Sequence, residues 1–323
     1  MSFLSLSDVY RARRRIAGHA CVTPLVGSAA LSARLGVPVH LKLETLQPTG
    51  SFKLRGATNA LAELAAQHVT RVVTASTGNH GRAVAHAARA FGIEATVCMS
   101  SLVPANKVDA VAALGARIVI AGDSQDDAQA AARQLVRDEG YVYVPPFDDP
   151  RIVAGQATIG VEILEALPDA GTLVVPLSGG GLFSGVAFAA KAIRPSFAVI
   201  GASMARGAAM HASIAAGHPV DVDERPTLAD SLGGGIGLHN RYTFEMTRAL
   251  IDEIVLLDEP AIARGIAHAY REERLVVEGA GAVGIAALLD ERIARRDCDG
   301  PIVVVVSGAN IDMGVHRRIV SEH

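Results

Sequence analysis

The chain has 323 residues, of which half are apolar and 20% are charged, so it can bury a large core and is not globally disordered. Its 30 Lys and Arg residues against 33 Asp and Glu residues give a net charge of −3. That balance excludes an extended basic surface for nucleic acid or for an anionic membrane. The length predicts two domains.

The cysteines predict a reducing compartment. Cys21, Cys98 and Cys298 lie far apart and form neither a disulfide framework nor a zinc-binding pattern. The first ten residues lack the basic start and apolar stretch of a signal peptide, and no apolar run reaches the ~20 residues that span a bilayer. We therefore expect a cytoplasmic protein that binds neither nucleic acid nor membrane.

Short β-branched runs alternate along the chain with alanine-rich stretches of helical spacing. The predicted strands cover residues 37–43, 71–74, 95–99, 117–120, 141–144, 173–176, 198–201, 253–257 and 302–306. Helices are predicted between most of them, including 82–91, 105–114 and 124–138. Strands that alternate with helices form βαβ units, so the predicted fold class is α/β with mainly parallel sheets.

The spacing of these elements also bears on domain organisation. Residues 71–146 hold four predicted strands with their helices, enough for one compact unit. The proline-rich segment 145–150 marks the end of that unit. Spacing alone therefore predicts a simple division near residue 148.

Three glycine-containing loops follow predicted strands, the place where open α/β sheets bind ligands. They are STGNHG (76–81), SGGGLFSG (178–185) and SGAN (307–310). Glycine lets a ligand approach the backbone, and the helices predicted after the first two loops offer free N–H groups to an anion. Each loop by itself is equally typical of a tight turn. The second matches neither the P-loop nor the dinucleotide-binding pattern, which leaves a small phosphate monoester as the alternative to a nucleotide.

One lysine stands in an unusual context. Lys53 lies in QPTGSFKLRGA (47–57), between a Pro-Thr-Gly turn and a helical run. A lysine just inside a helix N-terminus meets an unfavourable dipole, which lowers its pKa and favours the neutral amine that forms Schiff bases. The alternative is an ordinary solvated surface lysine.

Taken together, these segments resemble the fold-type II pyridoxal-phosphate enzymes. SFKLRGA, STGNHG, SGGGL, EGAGAVG (278–284) and SGAN follow the order and spacing of that family, and the chain is most similar to its serine/threonine dehydratase and serine racemase group. The resemblance extends from TPL (23–25) to SGAN. It implies two open twisted, mainly parallel sheets flanked by helices, as in the tryptophan synthase β subunit, with the active site between two domains. Residues 1–66 and 147–323 would form a discontinuous large domain that binds the cofactor, and residues 67–146 a small one.

The resemblance implies a role for each matching residue. Lys53 would hold pyridoxal 5'-phosphate as a Schiff base and later remove the α-proton. The other expected cofactor contacts are Phe52 beside the ring, Asn79 on the 3′-oxygen, Ser178, Gly179, Gly180, Gly181 and Leu182 around the phosphate, Glu278 near the ring and Ser307 at the pyridine nitrogen. The loop expected to receive the substrate carboxylate consists of Ser76, Thr77, Gly78, Asn79 and His80.

These residue types favour β-elimination. A hydroxyl rather than a carboxylate at the pyridine nitrogen makes the ring a milder electron sink, which suits a reaction whose β-substituent leaves at once. The resemblance therefore implies an ammonia-lyase that removes water from threonine, serine or a related β-hydroxy amino acid and yields a 2-oxo acid and ammonia. A homodimer is expected by the same analogy.

Departures from the family pattern bear on the substrate rather than on the cofactor. Thr77 replaces the serine that racemases use as a catalytic residue on the opposite face of the substrate. Its hydroxyl could serve the same catalytic role, but the replacement counts against racemisation. Ser203 and Ala209 stand where racemase-like members carry metal-binding carboxylates, so no metal site is expected. Ser231 replaces a glycine usual near the substrate. The chain ends soon after SGAN, so no regulatory domain is expected.

Alternative functions stay open at this point. The stretches SMARGAAM (203–210) and DSLGGGIGL (230–238) resemble a branch of hydroxyectoine-utilisation dehydratases, which implies a hydroxyectoine-derived substrate in compatible-solute catabolism. A racemase or a β-replacement enzyme on the same fold is a second alternative. The third is a binding protein that keeps the cofactor without turnover.

Overall fold

The structure, a computed structural model, describes residues 4–76, 78–103, 105–293 and 300–323. Its strands are β1 (Leu25–Gly27), β2 (Val39–Leu43), β3 (Arg71–Ala75), β4 (Glu94–Met99), β5 (Arg117–Ile120), β6 (Val142–Tyr143), β7 (Thr172–Pro176), β8 (Ala198–Met204), β9 (Glu253–Leu257) and β10 (Ile302–Val306). The helices are α1 (Leu6–Ile16), α2 (Ala29–Leu35), α3 (Lys53–Ala66), α4 (Asn79–Phe91), α5 (Ala105–Ala112), α6 (Gln125–Glu139), α7 (Pro150–Ala166), α8 (Gly181–Ile193), α9 (Ala209–Ala216), α10 (Thr243–Leu250), α11 (Glu259–Arg271), α12 (Gly279–Leu289) and α13 (Met313–Glu322). Short 3₁₀ helices cover Glu44–Leu46 and Asp230–Leu232.

The strands form two sheets, which confirms the predicted α/β class with mainly parallel sheets flanked by helices. One sheet has the order β1-β2-β10-β7-β8-β9, and the other has the order β5-β4-β3-β6. Every neighbouring pair is parallel except β1 and β2. The smaller sheet consists of the four strands predicted within 71–146, and the larger one draws strands from both sides of that segment. The exact domain boundaries stay a prediction.

All nine predicted strands are present, and β1 is the strand that the sequence did not predict. It has only three residues, and Leu25, Val26 and Gly27 pair antiparallel with Lys42, Leu41 and His40. A run this short carries no readable periodicity. Its formation depends on the unpaired edge that β2 offers.

β10 shows why the larger sheet lies inside the protein. Ile302, Val304 and Val306 pack into the apolar core on the α12 side, whereas Val303 and Val305 pack into the core on the α8 side. Side chains of a strand alternate between the two faces, so an unbroken valine run is stable only where helices cover both.

A buried charge cluster fixes the beginning of α3. The Arg55 guanidinium donates to Glu44 Oε2 at 2.8 Å and to Glu162 Oε1 at 2.6 Å, and Lys42 Nζ donates to Glu162 Oε2 at 2.6 Å. Two cations therefore balance two carboxylates, as burial requires. The cluster ties α3 to β2, to the first 3₁₀ helix and to α7 within one turn of Lys53.

Glycine allows α3 and α7 to approach each other closely. A Cβ atom on Gly155 would lie 2.6 Å from Gly56 Cα, and one on Gly56 would lie 2.9 Å from the carbonyl oxygen of Ile152. Any side chain at either position would push the helices apart. Within the described ranges, no helix is both long enough and apolar enough to cross a bilayer.

Candidate active site

The glycine-containing loops lie at the carboxyl ends of their strands, as the sequence predicted. STGNHG follows β3, SGGGL follows β7 and SGAN follows β10. Because β7 and β10 are parallel neighbours, their loops lie side by side. A hydrogen bond from Asn310, in the loop after β10, to Asn79 joins the loop of the smaller sheet to them. The three loops therefore border one region, which we call the cleft.

Lys53 is the first residue of α3, and its surroundings lower the pKa of its amine. Nζ donates to the carbonyl oxygen of Pro146 at 2.8 Å and lies 5.2 Å from the centre of the Phe52 ring. Removal from water lowers the pKa of Lys53 to about 8, and the negative charge of Glu278 opposes that shift. About half of this amine is therefore neutral near pH 8, where an ordinary lysine is almost wholly protonated.

The loop after β7 depends on glycine for two reasons. Gly180 has φ +87°, a left-handed conformation that side chains disfavour. A Cβ atom on Gly181 would lie 2.9 Å from Phe147 Cβ, and the Phe147 ring fills the space beside Gly179. Ser178 is absent from the residues with positive φ, which explains why a side chain is tolerated there. Its Oγ donates to the carbonyl oxygen of Leu232 at 2.8 Å.

Two helices that begin in the glycine-containing loops, α4 and α8, have no N-cap side chain. The N-cap side chain accepts a backbone N–H in α1, α2, α6, α7, α11 and α13, where the N-caps are Ser5, Ser28, Ser124, Asp149, Asp258 and Asp312. The N-caps of α4 and α8 are Gly78 and Gly180, which have no side chain to do this. The first-turn N–H groups of both helices, including those of Gly181 and Leu182, are therefore available to an anion.

Ser307 and Phe52 connect the end of β10 to the beginning of α3. The backbone N–H of Phe52 donates to the Ser307 carbonyl at 3.0 Å, and Ser51 forms an antiparallel bridge with Gly308. Ser307 is buried, and among the described residues its Oγ makes only a long contact of 3.4 Å, with the Ala280 carbonyl. Ser51 Oγ is buried without a partner in the part of the chain that is described.

Asn79 and Glu278 lie in contact although Asn79 begins α4, which follows a strand of the smaller sheet, and Glu278 is the N-cap of α12, which packs on the larger sheet. Asn79 Nδ2 donates to Glu278 Oε1 at 2.7 Å, while Glu278 Oε2 is buried without a partner among the described residues. Burial, and secondly the charge of Asp230, raise the pKa of Glu278 to about 7. This carboxyl group therefore titrates near neutral pH.

The loop after β3 is only partly described. Ser76 and Gly78 lie on either side of Thr77, which falls outside the described residues. His80 Nε2 lies 3.0 Å from the Val144 carbonyl, and burial together with the Lys53 charge lowers the pKa of His80 to about 3. The imidazole is neutral, and its proton lies on Nε2 because a carbonyl can only accept. Nδ1 is then an acceptor, so an anion here would bind backbone N–H groups rather than this ring.

Ser203 and Ala209 are the positions at which the sequence analysis noted missing carboxylates. Ser203 lies in β8, buried, with its Oγ 3.7 Å from Met204 Sδ, and Ala209 begins α9. Across the ranges given above, no group of three or more His, Cys, Asp or Glu side chains is arranged to hold a metal ion.

The sequence analysis missed the contribution of segment 145–150, which it interpreted only as a boundary. Pro146 accepts from Lys53, Phe147 packs on Gly179 and Gly181, and the Asp148 carboxylate accepts from three backbone N–H groups at the beginning of α10. Asp149 is the N-cap of α7 and Pro150 is its first residue. This pair is a typical helix-start signal that the sequence contained. No local signal pointed to Asp148, because its partners lie more than 90 residues further along.

Fold and cleft together define a class of protein. The chain matches the family model described as "Pyridoxal-phosphate dependent enzyme" over residues 16–308. It therefore belongs to the pyridoxal-phosphate dependent enzyme family, whose fold-type II arrangement the two sheets reproduce.

Individual relatives narrow the comparison. A Sinorhizobium fredii protein, provisionally named a threonine dehydratase, is 56% identical over 322 residues, which cover 99% of this chain and 96% of that protein. An L-threonine ammonia-lyase of Thermotoga maritima is 40% identical, covering 99% of this chain and 79% of its own. The structure of maize serine racemase superposes with a TM-score of 0.92 at 33% identity, covering 100% of this chain and 98% of its own.

The residues at the cleft fit the family's cofactor. A desolvated lysine amine suits its aldehyde, and uncapped helix N–H groups suit its phosphate dianion. Buried oxygens of Ser51 and Glu278 lack partners among the described residues, and Ser307 Oγ has only its long contact. Buried polar atoms are normally hydrogen-bonded, so these atoms indicate a polar occupant.

Proposed function

We propose that this protein is a pyridoxal-phosphate-dependent ammonia-lyase that acts on a small β-hydroxy amino acid, with threonine or serine as the first candidates. One observation carries the proposal: the Lys53 amine, whose pKa is lowered, is linked to two helices, α4 and α8, that have no N-cap side chain. The link to α8 is Pro146, whose neighbour Phe147 packs on Gly179 and Gly181. The link to α4 is the charge of Lys53, which acts on His80.

The cleft offers one group for each part of the cofactor. Lys53 would bond its aldehyde carbon, and the amides at 179–182, in the loop begun by Ser178, would bind its phosphate. Ser307 would face the ring nitrogen, Asn79 the 3′-oxygen, and Phe52 and Glu278 the ring. Pyridoxal phosphate held in this way supplies an electron-withdrawing ring that acidifies the hydrogen on the α-carbon of a bound amino acid.

The chain's own residues then bind the substrate and move its protons. The uncapped N–H groups at the beginning of α4, in the loop of Ser76, Gly78, Asn79 and His80, would bind the substrate carboxylate. Once the amino group of the substrate has displaced it from the cofactor's aldehyde carbon, Lys53 Nζ would be a free amine and would accept the α-proton, which its lowered pKa permits. The β-hydroxyl leaves with a proton as water, and the released enamine takes up water to give a 2-oxo acid and ammonia. No oxidant or reductant is required.

The relatives support this activity and favour one alternative. Those described above include a threonine ammonia-lyase and the maize serine racemase, so racemisation is the second candidate. Thr77, for which the sequence analysis expected a role on the opposite face, belongs to the same loop. Chiral analysis of unreacted serine separates elimination from racemisation.

Three finer assignments belong to the same proposal. A hydroxyectoine-derived amino acid is a substrate to include in the screen. A homodimer would follow the family pattern, and sedimentation of the holoenzyme tests it. A cytoplasmic location accords with the exposed thiol of Cys21, which suits a reducing compartment.

The decisive experiment compares Lys53→Ala with Lys191→Ala, a lysine of α8 that pairs with Asp252 at 2.8 Å. The unmodified protein and Lys191→Ala should show a visible absorption band with pyridoxal phosphate and should form 2-oxo acid. Lys53→Ala should lose both. A screen of β-hydroxy amino acids that yields no oxo acid, together with no exchange of the substrate α-hydrogen for deuterium, would instead establish a binding protein.

A further inference from the structure

A chain of hydrogen bonds runs from Arg82 through two asparagines to Glu278. Arg82 Nη1 donates to Asn310 Oδ1 at 2.9 Å, and Asn310 Nδ2 donates to Asn79 Oδ1 at 2.6 Å. Asn79 Nδ2 then donates to Glu278 Oε1 at 2.7 Å. These four residues come from α4, from the loop after β10 and from the N-cap of α12.

Arg82 and Glu278, at the two ends of this series of hydrogen bonds, determine which way each asparagine amide is turned. A carboxamide has similar shape whichever way it is turned, so its neighbours decide where its oxygen and nitrogen lie. Arginine has no acceptor, so the Asn310 oxygen must face Arg82. The nitrogen of Asn310 then faces Asn79, and it also donates to the carbonyl oxygen of Thr49 at 2.9 Å, which can only accept.

The consequence falls on Asn79. Its oxygen accepts from Asn310, so its nitrogen faces Glu278. A carboxamide nitrogen carries two hydrogens, and the second has no acceptor in the described part of the chain. Turned the other way, Asn79 would point its oxygen at the Glu278 carboxyl and its nitrogen at another nitrogen.

The surroundings hold Asn310 in this arrangement. Gly50 has φ +73°, and a Cβ atom there would lie 2.7 Å from Asn310 Oδ1. The backbone N–H of Ala309 donates to the Gly50 carbonyl at 2.9 Å, which holds the two loops together. The amide of Asn310 therefore has a defined position as well as a defined direction.

We propose that Arg82 and Asn310 are positioning residues that fix the amide direction of Asn79, so that it presents a hydrogen-bond donor rather than an acceptor to the 3′-oxygen of pyridoxal phosphate. The inference rests on the proposed function, because it needs that cofactor in the cleft. The 3′-oxygen carries negative charge when ionised, so a donor attracts it and an acceptor repels it.

The experiment changes what residue 82 can donate. Arg82→Lys keeps a side chain that only donates, and Arg82→Glu substitutes one that accepts when ionised. Arg89→Glu is the matched control, since Arg89 is exposed in the last turn of the same helix. Asn310→Ala provides a second test, because it removes the carboxamide that links Arg82 to Asn79. Thermal melting verifies that each variant folds.

Two readouts separate positioning from a general loss of structure: the rate at which hydroxylamine strips the cofactor, and the circular dichroism of the visible band, which reports how the ring is held. Arg82→Glu and Asn310→Ala should lose cofactor about tenfold faster, with an altered visible signal, as expected for one lost hydrogen bond to a charged group. Arg82→Lys and Arg89→Glu should stay within about twofold of the unmodified protein.

The outcomes are distinct. If Arg82→Glu and Asn310→Ala bind a cofactor with unchanged retention and unchanged visible dichroism, the inference is wrong while the proposed function stands. If Arg82→Lys behaves like Arg82→Glu, donation by residue 82 is not what matters, and the inference is again wrong. If the unmodified protein forms no visible band, the proposed function fails and this inference fails with it.

Discussion

Lys53 Nζ lies 2.8 Å from the carbonyl oxygen of Pro146, a residue 93 positions further along the chain. That contact is one of four made by consecutive residues, since Phe147 packs on the loop after β7, Asp148 holds the beginning of α10 and Asp149 caps α7. One short segment thus sets the amine, the loop after β7 and two helices relative to each other.

The first prediction concerns the pH at which the cofactor-free protein takes up pyridoxal phosphate. Only a neutral amine attacks an aldehyde, and the pKa of Lys53 is lowered to about 8. The rate of appearance of the visible band should rise nearly tenfold per pH unit well below pH 8 and level off above it. Stopped-flow absorbance between pH 6.5 and pH 10 measures this. A rate that keeps rising past pH 10 would show an ordinary solvated lysine.

The second prediction is that Glu278→Gln stabilises the cofactor-free protein at alkaline pH. The folded carboxyl keeps its proton up to about pH 7, whereas in the unfolded chain it ionises near 4.5. Folding therefore takes up a proton between these values, and stability falls as the pH rises through that window. Gln carries no such charge, so the variant should be more stable by up to about 3 kcal/mol at pH 8 and nearly unchanged at pH 4.5.

Urea unfolding of both proteins at the two pH values gives these free energies. An equal difference at pH 4.5 and pH 8 would contradict the explanation, because a change in packing alone does not depend on this proton. The holoenzyme serves as a further comparison, since a ligand in the cleft changes the surroundings of Glu278.

The third prediction compares substitutions at Gly180 and Ser178, two positions of the loop after β7. Gly180→Ala places a Cβ at φ +87°, 2.8 Å from Thr247 Oγ1, and should cost about 1–3 kcal/mol while weakening cofactor binding. Ser178→Ala loses the bond to the Leu232 carbonyl, worth about 1 kcal/mol, without backbone strain. Thermal melting and equilibrium dialysis with pyridoxal phosphate compare the two. Equal losses of cofactor affinity would argue against a role for the Gly180 conformation.

The fourth prediction tests how Asp148 acts on the site through α10. Asp148→Ala leaves three N–H groups without their acceptor and should cost about 2 kcal/mol. α10 carries Thr243 and Thr247, which surround the position a Gly180 Cβ would occupy, so cofactor affinity should fall as well. Asp258→Ala removes the N-cap of α11, which accepts one backbone N–H, and should lose stability alone. If both variants lose affinity equally, Asp148 has no particular link to the loop.

The sequence predicted the strands of both sheets because their signals are local. β10 needs only an unbroken valine run to be recognised, and its burial on two faces follows from that run. α4 and α6 begin within a few residues of their predicted starts, since alanine-rich spacing marks both and the capping residue Ser124 marks α6. β1 was missed because it forms only against the edge of β2.

In the candidate site, too, the residues with a local sequence signal were predicted and those without one were missed. Lys53 and the three glycine-containing loops stand out in the sequence, because a ligand that must approach the backbone leaves a local mark in residue type. Asp148, Asn310 and Arg82 leave no such mark, since each acts on a residue of a distant segment.

By itself, the order of residues determined the class of fold and singled out Lys53 and the glycine-containing loops as candidates for the site, because helix periodicity, strand burial and glycine placement are properties of neighbouring positions. Only the tertiary structure decided the pKa values of the side chains at the site and the direction of the Asn79 amide. The proton affinities of Lys53, His80 and Glu278 depend on how much water and which charges surround them. The direction of the Asn79 amide likewise depends on partners that only folding brings into contact.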